Sequence, residues 1–357
     1  MKFPTVDLRE TFAVVDKVEP QVGMQSSQFV HLNLAKGKLN MAMCGLVVSE
    51  SNCNAEGTMD SFFADRRVLG AFLGSCRGVV VDITVKENQM TLKSGRQQVV
   101  LTGMSEISGY GKWQPNGKLP KLALTDELRK ELSMLSQYAP ITAASDHLSA
   151  VYLLKSYGIL ATDMFAIAAC LDSSIDSTVP LPIGLAKLAG KLDARHFQVD
   201  KEGAGIQLPR GYLYQALSTR LKEFPLKAVR GLLDGAKEQP TVASFKASDL
   251  LHGLTHLRQF IFGGSGEDAV VEVNCTPEQT TFTLQMAQGT AHCKVPTHGK
   301  LTKPVKLKWL LNPMLPWVEY VAGEEEAIVQ CTQADGNHGF RSKHKSKQYI
   351  LILADKG

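Results

Sequence analysis

No run of apolar residues in this 357-residue chain approaches the roughly 18 that a membrane-spanning helix needs, although 44% of its residues are hydrophobic. Charge of one sign is also scarce. Against 35 acidic residues stand 39 basic ones, a net charge of +4, which names no partner but permits nucleic acid. Cysteine offers no framework. Cys44, Cys53, Cys76, Cys170, Cys275, Cys293 and Cys331 are odd in number, scattered, and never spaced Cys-x-x-Cys. They read as reduced cytosolic thiols and not as disulfides. Met1–Asp7 reaches charge before any apolar stretch, so no signal peptide is expected. The apolar fraction excludes a disordered chain, and the length predicts two or three domains.

Fragments that look like active sites each meet a physical objection. Gly74-Ser75-Cys76-Arg77-Gly78 has the Gly-x-Cys-x-Gly form of a thiol nucleophile elbow. An elbow needs a strand entering and a helix leaving, whereas here a helical pattern precedes Cys76 and the strand pattern 79–85 follows it. The glycines read as helix stop and turn. Gly184–Lys191 resembles a phosphate loop, but the glycines are one residue too far apart. Leu192 also stands where Ser or Thr would hold magnesium. Leu185, Leu188 and Leu192 suit an amphipathic helix better. His252 and His256 share a helix face, yet Gly253 replaces the glutamate a zinc hydrolase wants. A third ligand would have to come from His292, Cys293 or His298; solvated or core-edge histidines are the plainer reading. Glu324-Glu325-Glu326 reads as a solvated turn between strands. No reaction is legible, so a non-enzyme without cofactor or metal is expected, with a Cys- or metal-dependent hydrolase as the remote alternative.

Organisation is the stronger signal. A short strand, an amphipathic helix and three strands joined by tight turns recur six times, with apolar spacing near 3.6 in the helices and near 2 in the strands. The expected helices are Val6–Val18, 65–76, Asp126–Gln137, Ile183–Leu192, Ser248–Phe260 and a short one near Lys306–Leu311 that Pro313 and Pro316 curtail. Units of about 60 residues signal rings, solenoids or arrays. One helix over a few strands buries too little apolar area alone, so the units pair into three α+β domains: 1–117, 118–237 and 238–357. The junctions fall at Trp113–Lys118 and Lys237–Pro240.

With this organisation, the chain resembles a bacterial-type DNA sliding clamp, the beta subunit of the replicative polymerase. Gly158-Ile159-Leu160-Ala161-Thr162-Asp163 is similar to the family's second-domain strand ending in Ala-Thr-Asp. Phe224-Pro225 resembles the start of its second interdomain link, and Tyr349–Leu353 its closing strand. The sequence departs from the family where Met164-Phe165-Ala166-Ile167 replaces Gly-His-Arg-Leu, and where Ile352-Leu353-Ala354-Asp355 replaces a Met- and Pro-rich ending. The resemblance implies three tandem clamp domains of two β-α-β-β-β repeats each, helices inside and antiparallel sheets outside a ring that a head-to-tail homodimer closes around duplex DNA. It implies a divergent, perhaps viral, polymerase processivity factor. Its partners would be a DNA polymerase and a clamp-loader ATPase, with no membrane. Its location would be cytoplasmic, at the nucleoid or in the cytoplasm of a host.

The DNA-facing candidates are Arg66, Arg67 and Arg77 on the second helix, Lys187, Lys191 and Arg195 on or after the fourth, and Lys306 and Lys308 on the sixth. Each could equally be a solvated helix face. The first and third helices carry at least as many acids as bases, so the lining is expected to be patchy. Lys343, His344, Lys345 and Lys347 cluster in what reads as a loop, more simply a solvated hairpin than a DNA contact. The partner-peptide pocket would comprise Thr162, Phe165, Ile167, Pro225, Val229 and Leu353, although buried strands would carry several of these apolar residues in any case. The competing reading is a clamp-fold interaction scaffold that does not encircle DNA.

Overall fold

The computed structural model describes residues 1–17, 28–44, 48–57, 59–104, 121–140, 147–192, 195–261, 269–299, 301, 303–334 and 336–354. Six β-α-β-β-β repeats follow one another. The first is β1 (Lys2–Pro4), α1 (Thr5–Val15), β2 (Phe29–Ala35), β3 (Lys38–Cys44) and β4 (Val48–Asn54). The second is β5 (Met59–Asp65), α2 (Arg66–Ser75), β6 (Val80–Lys86), β7 (Gln89–Ser94) and β8 (Gln97–Thr102). The third is β9 (Lys121–Ala123), α3 (Asp126–Leu135), β10 (Ala150–Leu154), β11 (Gly158–Thr162) and β12 (Ala166–Leu171). The fourth is β13 (Val179–Pro182), α4 (Ile183–Ala189), β14 (His196–Val199), β15 (Gly203–Leu208) and β16 (Gly211–Ala216). A linking helix, α5 (Leu226–Glu238), intervenes. The fifth is β17 (Thr241–Lys246), α6 (Ala247–Arg258), β18 (Val270–Cys275), β19 (Gln279–Met286) and β20 (Gly289–Pro296). The sixth is β21 (Val305–Leu310), α7 (Leu311–Ala322), β22 (Ile328–Ala334), β23 (Asn337–His344) and β24 (Lys347–Ala354).

Consecutive repeats exchange their leading strands. β1 pairs with β6 and β5 with β2; β9 pairs with β14 and β13 with β10; β17 pairs with β22 and β21 with β18. Third strands make the joints, β4 with β16 and β12 with β24, giving two antiparallel eight-stranded sheets. β1-β6-β7-β8 and β20-β19-β18-β21 remain four-stranded, with β8 and β20 as edges. The helices pack in consecutive pairs, α1 with α2, α3 with α4 and α6 with α7. The chain divides into two compact units, Met1–Thr125 with Lys191–Leu217, and Asp126–Gly190 with Ser218–Gly357. The first holds α1 and α2 over Leu32, Met41, Phe62 and Leu92; the second is built round Trp309, Trp317, Phe245, Phe282 and Phe340.

The α3–α4 crossing is close because residue 190, just past α4, has no side chain: a Cβ there would lie 2.9 Å from Ser133 Cβ. Gly190→Ala is expected to cost about 1–3 kcal/mol, as overpacking does, and a urea titration reads this directly.

The structure corrects several expectations. Residues 306–310 are strand, not helix; the sixth helix follows, at Leu311–Ala322, and runs through both prolines. Pro313 sits in the first turn, where an N–H has no helical acceptor, so only Pro316 removes an internal bond. Trp317, Val318 and Val321 bury the helix and hold it. Arg77 lies beyond α2, and α4 stops before Lys191 and Arg195. Glu324–Glu326 follows helix α7 and does not join two strands. Lys343 and His344 end β23, Lys345 turns with φ +52°, and Lys347 opens β24, so the cluster is an ordered hairpin and not a loop. The Trp113–Lys118 junction lies outside the described residues. Among the described residues, no helix is long and apolar enough to cross a membrane.

Candidate nucleic-acid interface and peptide pocket

Asp65 caps α2, its Oδ1 accepting from the Arg67 and Val68 N–H groups at 2.8 and 3.1 Å. That fixes where Arg66 and Arg67 leave the helix. Arg66 Nε then donates to Asp16 Oδ1 at 2.7 Å, and its side chain is only 15% exposed. Its charge is compensated at home. Arg67 is exposed. At the other end of α2, Arg9 donates to the carbonyls of Leu73 and Cys76, satisfying acceptors at the helix C-terminus. Arg77 follows, exposed, in an open cleft of about 740 Å³ shared with Ser75, Arg96 and Gln97. Lys187 is half-buried on α4; Lys191 and Arg195 are exposed beyond it.

Lys306 and Lys308 require a second correction. On β21 they alternate with buried Leu307 and Trp309, so they project from the opposite sheet face. α6 packs against the core face, where Gly253 approaches Phe282 and Val295. The two lysines instead line a cleft of about 620 Å³ with Glu272, Asn274 and His292. They do not share a helical face with the other candidates. The exposed helix faces also carry Val6 and Val68, and the sequence reading overlooked exposed Arg258 at the end of α6. The patchiness expected of the basic lining extends to α2.

The pocket candidates split between a sealed floor and an exposed rim. Ile167 and Val229 belong to one buried apolar cluster with Tyr152, Leu160, Phe224, Leu233 and Ile352. The Tyr152 and Phe224 rings stack at 3.9 Å between centroids. Thr162 is buried, its hydroxyl donating to the Ala166 carbonyl at 2.8 Å and accepting from the Met164 N–H at 3.1 Å. Asp163 Oδ1 accepts from the Phe165 and Ala166 N–H groups at 2.9 and 2.7 Å. These bonds hold Met164 at φ +82°, an uncommon region for a side-chain-bearing residue. They present Met164 and Phe165 to solvent, 65% and 60% exposed. Pro225 is also exposed, between Phe224 and α5. Leu353 is elsewhere. Ile167 stands opposite Ile352 in the ladder, and Ile352 joins the cluster, so Leu353 faces the other side of the sheet.

Sequence reasoning missed Tyr157, Leu221 and Leu226, which pack partly buried against the cluster. Tyr157 donates to Asp234 at 3.1 Å beneath the Arg230 guanidinium, 4.3 Å from the ring centroid, and burial pushes its phenol up to about 12.

The alternative catalytic centres take on ordinary structural roles. Cys76 is buried at the α2 C-cap, its N–H bonded to the Phe72 carbonyl at 3.0 Å, and burial pushes its thiol up. A protonated, inaccessible sulfur is a poor nucleophile. His252 is exposed, and His256 sits edge-on to Phe260 at 5.2 Å. Among the described residues no three His, Cys, Asp or Glu side chains gather as a metal site.

No protein-family profile matches this sequence, and no curated protein is similar to it in sequence. Solved structures are similar to it in fold. The DNA polymerase sliding clamp of Bacillus subtilis matches with a TM-score of 0.74 at 14% identity, over 100% of this chain and 98% of that one. The chain has the sliding-clamp fold. The beta subunit of DNA polymerase III from Thermotoga maritima matches with a TM-score of 0.73 at 12% identity, covering 99% and 98%. The Helicobacter pylori beta clamp, solved with a DNA ligase peptide, matches with a TM-score of 0.67 at 11% identity, over 99% of each chain. The fold is thus the α+β, repeated clamp architecture from end to end, shared at 11–14% identity.

Proposed function

We propose that this protein is a DNA polymerase processivity clamp, in which two copies join head to tail into a ring around duplex DNA. The observation that carries the reading is the pair of open joints. Third strands pair between repeats 1 and 4 and between repeats 3 and 6, leaving β8 of repeat 2 and β20 of repeat 5 as edges. Two copies exchanging these edges would leave no third strand unpaired, and exposed edges are otherwise a liability.

On this reading the three domains are 1–117, 118–237 and 238–357, and the ring is held on DNA by topology and not by base contacts. Arg67, Lys187, Lys191 and Arg195 serve as a mobile electrostatic lining. A polymerase, a clamp loader and other replication proteins dock by an apolar anchor on the rim made by Phe165 and Pro225, over the Ile167–Val229–Ile352 floor. The protein is a tether without catalysis or cofactor, placed with the replication machinery in the cytoplasm.

Light scattering at micromolar concentration tests the assembly, with a dimer expected and a stable monomer against it. Retention tests the encirclement: protein loaded on nicked circular duplex stays through a salt wash and is lost once the circle is linearised. The sparse cations on the helices favour one competing reading, a clamp-fold scaffold that binds proteins without encircling DNA. Neutralising Arg67, Lys187 and Lys191 together separates the two. Each phosphate contact contributes about 0.9 to the slope of log affinity against log salt, and the ring carries two copies of each residue, so the ring reading expects the slope to fall by up to about 5. The scaffold reading expects no change.

A further inference from the structure

Both joints formed within the chain carry the same electrostatic device. At the joint of repeats 1 and 4, Arg210, second residue of the two-residue β15–β16 turn, reaches α1: its Nη2 lies 2.8 Å from Asp7 Oδ1 and 2.6 Å from Glu10 Oε2. At the joint of repeats 3 and 6, Lys347, the first residue after the β23–β24 turn, reaches α3, 3.2 Å from Glu127 and 2.8 Å from Glu131. In each, a cation at the final hairpin of the even repeat meets carboxylates on the helix of the odd repeat.

The helices superpose by pattern. Thr5-Val6-Asp7-Leu8-Arg9 matches Thr125-Asp126-Glu127-Leu128-Arg129 and Ala247-Ser248-Asp249-Leu250-Leu251. Leu8, Leu128 and Leu250 are buried alike, and so are Phe12, Leu132 and Leu254 four residues on. Asp7, Glu127 and Asp249 therefore occupy one position. The hairpins align too. Leu208 pairs with Gly211 around Pro209-Arg210, and Ser94 pairs with Gln97 around Gly95-Arg96, so Arg96 stands where Arg210 does. Arg96 is exposed beside Arg77 in the cleft at the end of α2.

We infer that Arg96 of one copy forms an ion pair with Asp249 of a second copy, completing at the joint between chains the contact that Arg210 and Lys347 make within it. This rests on the head-to-tail ring proposed above. The position of Glu10 is His252 here and that of Glu131 is Gly253, so the helix at this joint offers one carboxylate where α1 and α3 each offer two.

Charge reversal tests the pair by sedimentation velocity at low salt, with circular dichroism to verify folding. In a head-to-tail dimer, R96E alone sets an introduced carboxylate against Asp249 at both joints, and D249R alone sets an introduced guanidinium against Arg96. Each should weaken dimerisation on the order of tenfold or more, since opposed like charges penalise an interface. An equimolar mixture makes both joints complementary. The two introduced charges face each other at one joint, Arg96 faces Asp249 at the other, and the mixture should dimerise as wild type does. Wild-type dimers with unaffected variants, or a mixture no tighter than its components, would overturn the pair and leave the ring standing. A wild-type protein that stays monomeric overturns both. Should a reversal variant misfold, Arg96→Ala and Asp249→Asn with their double variant supply the cycle, and zero coupling between them overturns the inference.

Discussion

Replacing Lys347 by Met should destabilise the fold by about 3–5 kcal/mol, because it strands a buried carboxylate. Glu131 is 1% exposed on α3, and Lys347 Nζ lies 2.8 Å from it, with Glu127 and Asp172 each at 3.2 Å. The Cys170 thiol donates to the same carboxylate at 3.1 Å. Burial, the largest influence, pushes the Glu131 carboxyl above its ordinary range even with the ammonium present, while its carboxylate partners outweigh burial and hold Lys347 charged. Removing the ammonium pushes the carboxyl higher still. A carboxyl whose folded pKa exceeds its unfolded one adds stability below the unfolded value and loses it as pH rises through the folded one. The gap between K347M and wild type should therefore narrow as pH falls from 8 towards 5, and urea unfolding at several pH values measures it. Adding Glu131→Gln to K347M should recover most of the loss, since the stranded group is then neutral. A K347M protein that unfolds at the wild-type urea concentration would mean that the cluster contributes nothing.

The same residue shows where sequence reading stops. Lys347 falls in the densest basic cluster, and composition alone suggests a solvated hairpin. Its partner Glu131 is 216 positions away, and Arg210 is 203 from Asp7. Pairings at that separation are set by which third strands meet, and no local period records them. What is local is legible. Five of the six helices lie within a few residues of their expected bounds, because their apolar spacing is helical and their flanking hairpins turn on Lys36-Gly37, Gly95-Arg96 or Glu87-Asn88.

The sixth helix misleads through its prolines, although Val305-Lys306-Leu307-Lys308-Trp309 alternates as a half-buried strand does. β4, β12 and β23 escape a sequence reading for two reasons. Val48–Asn54 and Asn337–His344 are too polar to resemble strands, and Ala166–Leu171 is a short, wholly buried apolar run that suits helix or strand equally. All three lie inside the eight-stranded sheets, where neighbours on both sides complete the ladder and propensity matters less. For the pocket, the closing strand is legible but its parity is not: one residue separates Ile352 in the cluster from Leu353 on the far face, and a one-residue step exchanges the faces of a strand.

If two copies close the proposed ring through β8, proline at Val100 should leave the protein as folded monomers. In a two-residue hairpin the closing pair, here Ser94 with Gln97, is hydrogen-bonded, and bonded pairs then alternate along the ladder. Val99 therefore donates inward to β7, while Gln98 and Val100 point their N–H groups to the free edge. Val100 is also 49% exposed, so its side chain contributes little to the core. A proline there removes a donor that pairs with none of the described residues and that a second copy would use, in a place where edge strands tolerate proline. The lost bond and the partner acceptor it strands cost about 1–3 kcal/mol, roughly fivefold to a hundredfold in association at each joint. V100P should keep its circular dichroism and urea midpoint, run as a monomer in light scattering, and slip from nicked circular DNA during a salt wash. Val99→Pro is the contrast: it breaks a bond within the sheet, so it should lower the urea midpoint. A V100P protein that dimerises as wild type does would remove β8 from the assembly and, with it, the argument that the open edges close on each other.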